Sequence, residues 1–365
     1  MTTKKAKFFR DPIHGYIEVD GRFLKLIDSP FFQRLRRIKQ LAFTDLVYHG
    51  AEHSRFGHSL GAYELASQIA DRIQLKGHIR DEFSLAALLH DLGHPPCSHA
   101  FESVLQNTYG SSTHEDYTEA TIMHSEIGDL IESLDLDKGT IVKLIRGKYV
   151  DRPEFGYLND LISSELDIDR MDFLLRDAYY CGVPYGQYDI ERLLLSLKVH
   201  GKEIVVQEKG RHAVESFILS RFYMYTQVYT HRTRRAFDTM LKAIFSKEVM
   251  KNVNYPKAVS SDINRLPDFD DAWLLGKIKE ISKGFSTEAK IAKLFEKREH
   301  IRAVIEKIAY ADMESRSIDP TFTTIEALES FKKELADEIK VDQNLIFFDR
   351  PWKDLPFEKR YRQYY

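Results

Sequence analysis

Apolar residues recur along most of the chain at spacings of three and four, the pattern of helices that bury one face. The clearest case is the predicted helix near 81–92, where Leu85, Leu88, Leu89 and Leu92 fall at i, i+3, i+4 and i+7. Ser29-Pro30 reads as an N-cap with proline at the first helical position, opening a helix through Phe31, Leu35, Ile38 and Leu41. Further helices are predicted near 55–75, 98–107, 114–133, 137–147, 157–180, 187–197 and, as one long stretch, 212–252. Period-two runs are few. Lys7-Phe8-Phe9 and Tyr16 to Val19, joined through Asp11-Pro12-Ile13-His14-Gly15, predict one hairpin; Leu197-Lys198-Val199 and Glu203 to Val206 predict another. The pattern breaks around Asn252 to Pro256 and Leu266-Pro267-Asp268, which places an expected boundary between residues 1–252 and a mainly helical lobe, 253–365. That lobe carries predicted helices near 269–284, 286–297, 299–311 and 323–340, and a tail from Ile346 rich in aromatics and charge. The expected fold is mainly α with small β-hairpins.

Composition narrows the function classes. The 365 residues are 43% hydrophobic and 30% charged with a net charge of −3, so no overall basic field points to nucleic acid or an anionic membrane. Two cysteines, Cys97 and Cys181, make neither a disulfide framework nor a thiolate-rich zinc site, and fit a reducing cytosol. The N-terminus leads into no apolar export signal, and no apolar run approaches membrane-spanning length, so a cytoplasmic protein is expected.

Histidine changes the picture. Of 14 histidines, 9 lie between His49 and His124. Imidazole is the commonest metal ligand and the usual proton carrier near neutral pH. His58, the pair His90-Asp91 at the end of the apolar helix, and the distant Asp169 are candidate ligands, with His94 one helical turn beyond His90. Asp169 belongs to Glu165-Leu-Asp-Ile-Asp-Arg-Met-Asp172, an acid-rich stretch that is costly to bury unless its carboxylates bind cations or accept hydrogen bonds. Two imidazoles with two carboxylates favour Fe, Mn, Co, Ni or Mg, with zinc also compatible, and leave coordination positions open. The competing reading is a set of hydrogen-bonded core histidines.

His58, His90-Asp91 and Asp169 match the H…HD…D signature of the HD superfamily of metal-dependent phosphohydrolases. Asp11-Pro-Ile-His-Gly15, Phe32-Gln-Arg-Leu-Arg36 with Ile38-Lys-Gln-Leu41, His53 to Gly61, His90 to His99 and Asp167 to Asp172 follow in order. Together, over roughly residues 7–245, the chain resembles the branch containing the sterile-alpha-motif/HD-type deoxynucleoside triphosphate triphosphohydrolases and their bacterial relatives. The resemblance implies an HD helical core over 1–252. It puts one divalent metal ion on His58, His90, Asp91 and Asp169, and gives Arg55 and Arg170 to phosphate. His94, His99 and His114 would face the triphosphate, His114 as general acid oriented by Glu102. The implied reaction is hydrolysis at the α-phosphorus, releasing deoxynucleoside and inorganic triphosphate.

On the same basis Gln40 and Leu41 lie against the sugar and Asp177 takes its 3′-hydroxyl. Phe173 and Phe237 stand where the vertebrate enzyme has tyrosines, keeping a wall against a 2′-hydroxyl without the phenolic donor. Asp238 replaces a glutamine and Gly57 a glutamate. Tyr229 lies near an expected phosphate-binding arginine, for which Arg232 or Arg235 is a substitute. Asp28, Gln33 and Arg36, with Lys7, match an activator site reading a guanine base, such as that of GTP or a dNTP, between subunits of a dimer of dimers. Two alternatives stay open: an HD phosphohydrolase for another nucleotide or phosphate ester, and a nucleotide-responsive, nucleic-acid-binding protein with weak catalysis.

Overall fold

The protein is described by a computed structural model over residues 5–110, 113–258, 260–301, 325–340, 343 and 346–347. It is mainly α, with two antiparallel two-stranded sheets. The first sheet pairs β1 (Lys7–Asp11) with β2 (Gly15–Val19) in the register Lys7↔Val19 to Asp11↔Gly15. Asp11 Oδ1 accepts the backbone N–H groups of Ile13 and His14 at 2.9 and 3.0 Å, and Gly15 takes the positive φ (+74°) that closes the turn. The helices α1 (Leu24–Ile27), α2 (Pro30–Arg34), α3 (Arg55–Arg72), α4 (His78–Leu89), α5 (His99–Tyr109) and α6 (His114–His124) follow. Next come α7 (Glu126–Glu132), α8 (Lys138–Ile145), α9 (Tyr157–Ile162), α10 (Ile168–Cys181) and α11 (Ile190–Ser196). The second hairpin pairs β3 (Leu197–His200) with β4 (Glu203–Val206) and leads to α12 (Arg211–Met224), α13 (Arg232–Ile244), α14 (Lys247–Lys251), α15 (Asp271–Ile281) and α16 (Thr287–Glu296).

Both hairpins form as the alternation predicts. Several expected helices are instead shorter or divided. The helix opened by Ser29 turns into a 3-10 segment at Leu35–Arg37, and Ile38 is extended (φ −121°, ψ 113°) because the chain pairs there with 53–55. Gln40 N donates to His53 O at 2.9 Å and Arg55 N to Ile38 O at 3.0 Å, so Gln40 and Leu41 leave the helix altogether. The 114–133 stretch divides at Ser125, whose hydroxyl caps α7, and 157–180 divides before Asp167, which caps α10. The 212–252 stretch breaks three times, first through a π-turn at Tyr225–Tyr229, then at His231 and at Phe245-Ser246.

Two compact units result, residues 1–299 and 300–365, and residue 252 lies within the first. In the second, the described residues form α17 (Ile325–Ile339); most of the helix expected near 299–311 and of the aromatic tail lies outside the described residues. The core of the first unit centres on α4, whose residues Phe83 to Leu89 are all buried, packed between α3 and α8, with α10 on the other side of α3. Among the described residues no helix is long and apolar enough to cross a membrane.

The chain leaves α4 at His90 and makes a tight turn under α6. Gly93 N donates to Thr118 Oγ at 2.9 Å, and Thr118 Oγ donates to His90 O at 2.9 Å. A Cβ at Gly93 would stand 2.2 Å from both His114 O and Thr118 N, backbone atoms that cannot yield. Gly93→Ala is expected to cost about 1–3 kcal/mol or more of stability by overpacking, read as a lower urea midpoint at unchanged slope.

Candidate metal centre

Three remote stretches deliver the candidate ligands. His58 lies on the first turn of α3, His90 and Asp91 just beyond the end of α4, and Asp169 on the first turn of α10, which Asp167 caps by accepting Arg170 N. Their donor atoms converge. His58 Nε2 stands 3.1 Å from His90 Nε2, 3.0 Å from Asp169 Oδ1 and 3.6 Å from Asp91 Oδ2. His90 Nε2 is 3.4 Å from Asp91 Oδ1 and 3.6 Å from Asp169 Oδ1. Ligands about 2.1 Å from one ion, at right-angled or tetrahedral positions, have mutual separations of about 3.0–3.4 Å.

The proton inventory supports the same reading. His58 Nδ1 bonds Asp172 Oδ2 at 2.8 Å and His90 Nδ1 bonds Ala87 O at 2.8 Å. A carboxylate and a carbonyl only accept, so each ring carries its proton on Nδ1 and points a lone pair from Nε2 at the other. Two facing lone pairs at 3.1 Å need a cation between them, a proton or a metal ion. Burial alone would lower the His58 pKa, yet the carboxylates of Asp169 and Asp172 raise it to about 10, so that without a metal ion the Nε2 position takes the proton. Burial likewise works against the Asp91 charge, but Arg55 and the two histidines hold that carboxyl well below its usual range. The donor set thus fits a resident divalent cation.

Behind His58 lies a largely buried ion cluster that sequence reasoning missed. Asp172 accepts from His58, from His14 Nε2 (2.7 Å), and from Arg176 Nε and Nη2 (2.8 and 2.9 Å). Arg176 also donates to Asp11 Oδ2 at 2.8 Å, so the hairpin turn that presents His14 is tied to the same guanidinium. Gly61 makes room: a Cβ there would lie 1.9 Å from Asp172 Oδ1. Gly57 sits against the same group, its Cβ position 3.4 Å from Arg176 Nη1. The available signals were the Asp11 to Gly15 motif and the i, i+3, i+7 spacing of Asp169, Asp172 and Arg176 along one helix face.

Arg55 and the second group of histidines adjoin the centre. Arg55 is buried and donates to Asp91 Oδ2 (2.5 Å) and Ser98 Oγ (2.8 Å). His94 reaches Asp91 across the post-helical turn, its Nε2 3.3 Å from Oδ1, instead of continuing the helix as expected. His94 stacks on His114 (centroids 4.0 Å, planes 13° apart), and His99 stands edge-on to both. Glu102 takes Nδ1 of His99 (2.7 Å) and of His114 (2.8 Å) and also accepts His114 N (2.7 Å). Burial opposes the Glu102 charge, but its bonds to His114 and His99 hold the carboxyl far below its usual range. Burial and the nearby Arg55 keep His94 neutral, its Nδ1 buried without a partner. Stacked parallel rings do not aim their lone pairs at one point, so this row suits proton transfer and anion contact better than a second metal.

The other expected site residues are placed as follows. Asp177 is bonded by His53 Nε2 (2.7 Å) and by the Tyr229 hydroxyl (2.6 Å), and Phe173 is edge-on to Tyr229. Gln40 is buried with Oε1 unpartnered, and Leu41 is partly exposed. Phe237 is fully buried and packs edge-on to Phe295. Arg170 turns back on Asp167 and Ser164 O. Asp238 pairs with Arg234. Gln33 bonds Ile27 O and Arg36, whose guanidinium lies over Phe56; Asp28 and Lys7 are exposed.

Comparison with known proteins agrees with this geometry. Residues 55–175 match the HD domain family and residues 188–361 the HD associated region. The uncharacterized protein YwfO of Bacillus subtilis is 42% identical over 252 residues, 67% of this chain and 56% of that one. A deoxynucleoside triphosphate triphosphohydrolase SAMHD1 homolog of Dictyostelium discoideum is 35% identical over 259 residues, 67% of this chain and 50% of that protein. The chain thus spans half, or a little more, of these relatives. The crystal structure of a hypothetical protein from Aquifex aeolicus superposes with a TM-score of 0.73 at 33% identity, covering 92% of this chain and 82% of that one.

Asp172→Asn removes the anion that orients His58. Calorimetric titration with Mn²⁺ is expected to give an affinity about 10–100-fold weaker than wild type, the usual loss when the group behind a metal-bound histidine is removed. Fold, donor convergence and family matches agree that the chain belongs to the HD-domain phosphohydrolases.

Proposed function

We propose that this protein hydrolyses deoxynucleoside triphosphates to deoxynucleoside and inorganic triphosphate. The observation that carries the reading is the adjacency of two unlike histidine groups. His58 and His90, with Asp91 and Asp169, converge on a cation position, while His94, His99 and His114 form a row, the last two held by Glu102, that touches the same Asp91 through His94. A single phosphate needs one such group; a triphosphate has length and charge enough to use both. The Dictyostelium relative is named for that activity.

When bound by His58, His90, Asp91 and Asp169, a divalent ion such as Mn, Fe, Co, Ni, Mg or Zn supplies Lewis acidity, acidifying water and drawing charge from phosphoryl oxygens. Water attacks the α-phosphorus and releases a proton to solvent, the P–O5′ bond breaks, and the departing 5′-oxygen takes up a proton. His114 Nε2 is the donor in this reading: Glu102 accepts from Nδ1 and leaves Nε2 as the position that delivers the proton. His94 and His99 flank that ring and, with Arg55, meet the phosphate chain. Arg55 has a second task, since its bond to Asp91 holds that carboxylate charged. Arg170 meets phosphate only on leaving Asp167.

Gln40, Leu41, Phe173 and Asp177 are assigned to the sugar, with Phe237 supporting them from the core. The unpartnered Gln40 Oε1 and the His53–Asp177–Tyr229 set offer hydroxyl contacts, and the Phe173 ring beside Tyr229 is assigned to exclude a 2′-oxygen. Lys7, Asp28, Gln33 and Arg36 are assigned to a guanine nucleotide activator in a dimer of dimers. The unpaired thiols Cys97 and Cys181 fit the cytoplasm. One observation favours a second reading, an HD phosphohydrolase for another phosphate ester: Tyr229 replaces an expected phosphate-binding arginine and already occupies Asp177.

Separate assays for inorganic triphosphate, pyrophosphate and phosphate, over dNTPs and NTPs with each metal and with or without GTP, distinguish the two. Triphosphate from dNTPs is expected; phosphate or pyrophosphate alone rejects the proposal. His114→Ala should retain bound metal by elemental analysis while turnover falls about 10²–10⁴-fold, the range for loss of a general acid.

A further inference from the structure

We propose that Asp271, in the HD associated region, is a positioning residue of the metal centre, acting through the Cys97-Ser98 turn on Arg55 and so on Asp91. This rests on the metal-centre reading above, and the bonds that carry it are direct. Asp271 is the first residue of α15 and is buried. Its Oδ1 accepts Cys97 N at 2.6 Å and its Oδ2 accepts Lys39 N at 2.9 Å, so one carboxylate clamps two segments that lie far from it in sequence.

The clamped turn is one that L side chains resist. Cys97 has φ +53° and Ser98 φ +54° with ψ −133°, two successive non-glycine residues on the disfavoured side of the map. Such a conformation persists only where surrounding bonds over-determine it. Here its product is the placement of one hydroxyl. Ser98 Oγ donates to Lys39 O at 2.7 Å and accepts Arg55 Nε at 2.8 Å, and Arg55 Nη1 donates to Asp91 Oδ2 at 2.5 Å. Hydrogen bonds linked through the backbone of Lys39 and of Cys97-Ser98 therefore run from Asp271 to the candidate ligand Asp91.

Neighbouring bonds seat the clamp. Arg34, fully buried, donates through Nε to Phe269 O (2.6 Å), Nη2 to His94 O (2.6 Å) and Nη1 to Leu92 O (3.3 Å), tying the residues before Asp271 to the turn after the ligand pair. Arg37 pairs with Asp270, which caps α15 through Trp273 N. Asp270 touches neither Cys97 nor Lys39 in these bonds and so separates anchoring of the helix from orientation of the centre. Both oxygens of residue 271 must accept. An asparagine has the same shape but would turn an NH₂ toward one of the two N–H donors.

The test compares Asp271→Asn with Asp270→Asn in the full chain, loaded with Co²⁺. Asp271→Asn is expected to bind Co²⁺ at least tenfold more weakly and to change its visible absorption spectrum. Where turnover is measurable, kcat falls at least tenfold with KM within twofold of wild type. Asp270→Asn should lose thermal stability and keep the wild-type Co²⁺ spectrum, affinity and kcat. Wild-type Co²⁺ affinity and spectrum in Asp271→Asn, or the same change in Asp270→Asn, overturns the proposal. Should Asp271→Asn fail to fold, Ser98→Ala cuts the same chain one bond nearer the centre: weakened Co²⁺ binding supports the relay and unaltered binding overturns it. A wild-type protein that binds Co²⁺ but cleaves no dNTP would reject the substrate reading, while the Co²⁺ comparison would still decide this one.

Discussion

The arrangement rests on the burial of one carboxylate. Asp172 has no exposure, and taking an isolated anion that far from water is prohibitive unless its oxygens are saturated. Four N–H donors from three elements saturate it: the β1–β2 turn through His14, α3 through His58, and α10 through Arg176. Arg176 in turn needs Asp11, and Asp11 shapes the turn that carries His14. The loop of dependence closes on itself, and removing either Asp172 or Arg176 strands the charge of the other, a loss of about 3–5 kcal/mol in comparable clusters. What that cluster fixes is the tautomer and direction of His58, and from there the meeting point of the donor set.

Two groups of imidazoles stand side by side and differ in orientation. The Nε2 lone pairs of His58 and His90 face each other, whereas the rings of His94 and His114 lie flat on one another. Chemically similar side chains are thereby set apart by what holds Nδ1: a carboxylate and a carbonyl in the first pair, one shared glutamate for His99 and His114 in the second. Asp91 borders both groups, and Arg55 keeps it charged for both.

Much of this was legible in the sequence because it is written locally. The leucine spacing of α4 carries through to its buried end, both hairpins follow their alternation, and the words around His58, His90-Asp91 and Asp169 each sit at a helix start or stop. The hidden parts depend on distant partners. Ile38 abandons its helix because residues 53–55 offer a strand to pair with, and the break between α9 and α10 lets Asp167 cap the helix that bears Asp169. The acid-rich stretch announced a cost of burial without saying that Asp172 would meet it with hydrogen bonds. Phe237 fits its motif position yet packs against Phe295, a residue that periodicity alone could not place opposite it.

The donors come from residues 58, 90–91 and 169, held by bonds reaching back to residue 11 and forward to residue 271. No fragment shorter than residues 11–271 contains the full set, and loop closure on this scale precedes any return from coordination. Ion affinity thus depends on distant stretches being folded together, and an ion that recognises only the finished arrangement stabilises it by mass action, by about 2.7 kcal/mol at a hundredfold excess over its dissociation constant. The same cation that would serve chemistry would therefore also report that folding is complete, making metal supply a determinant of how long the native molecule survives.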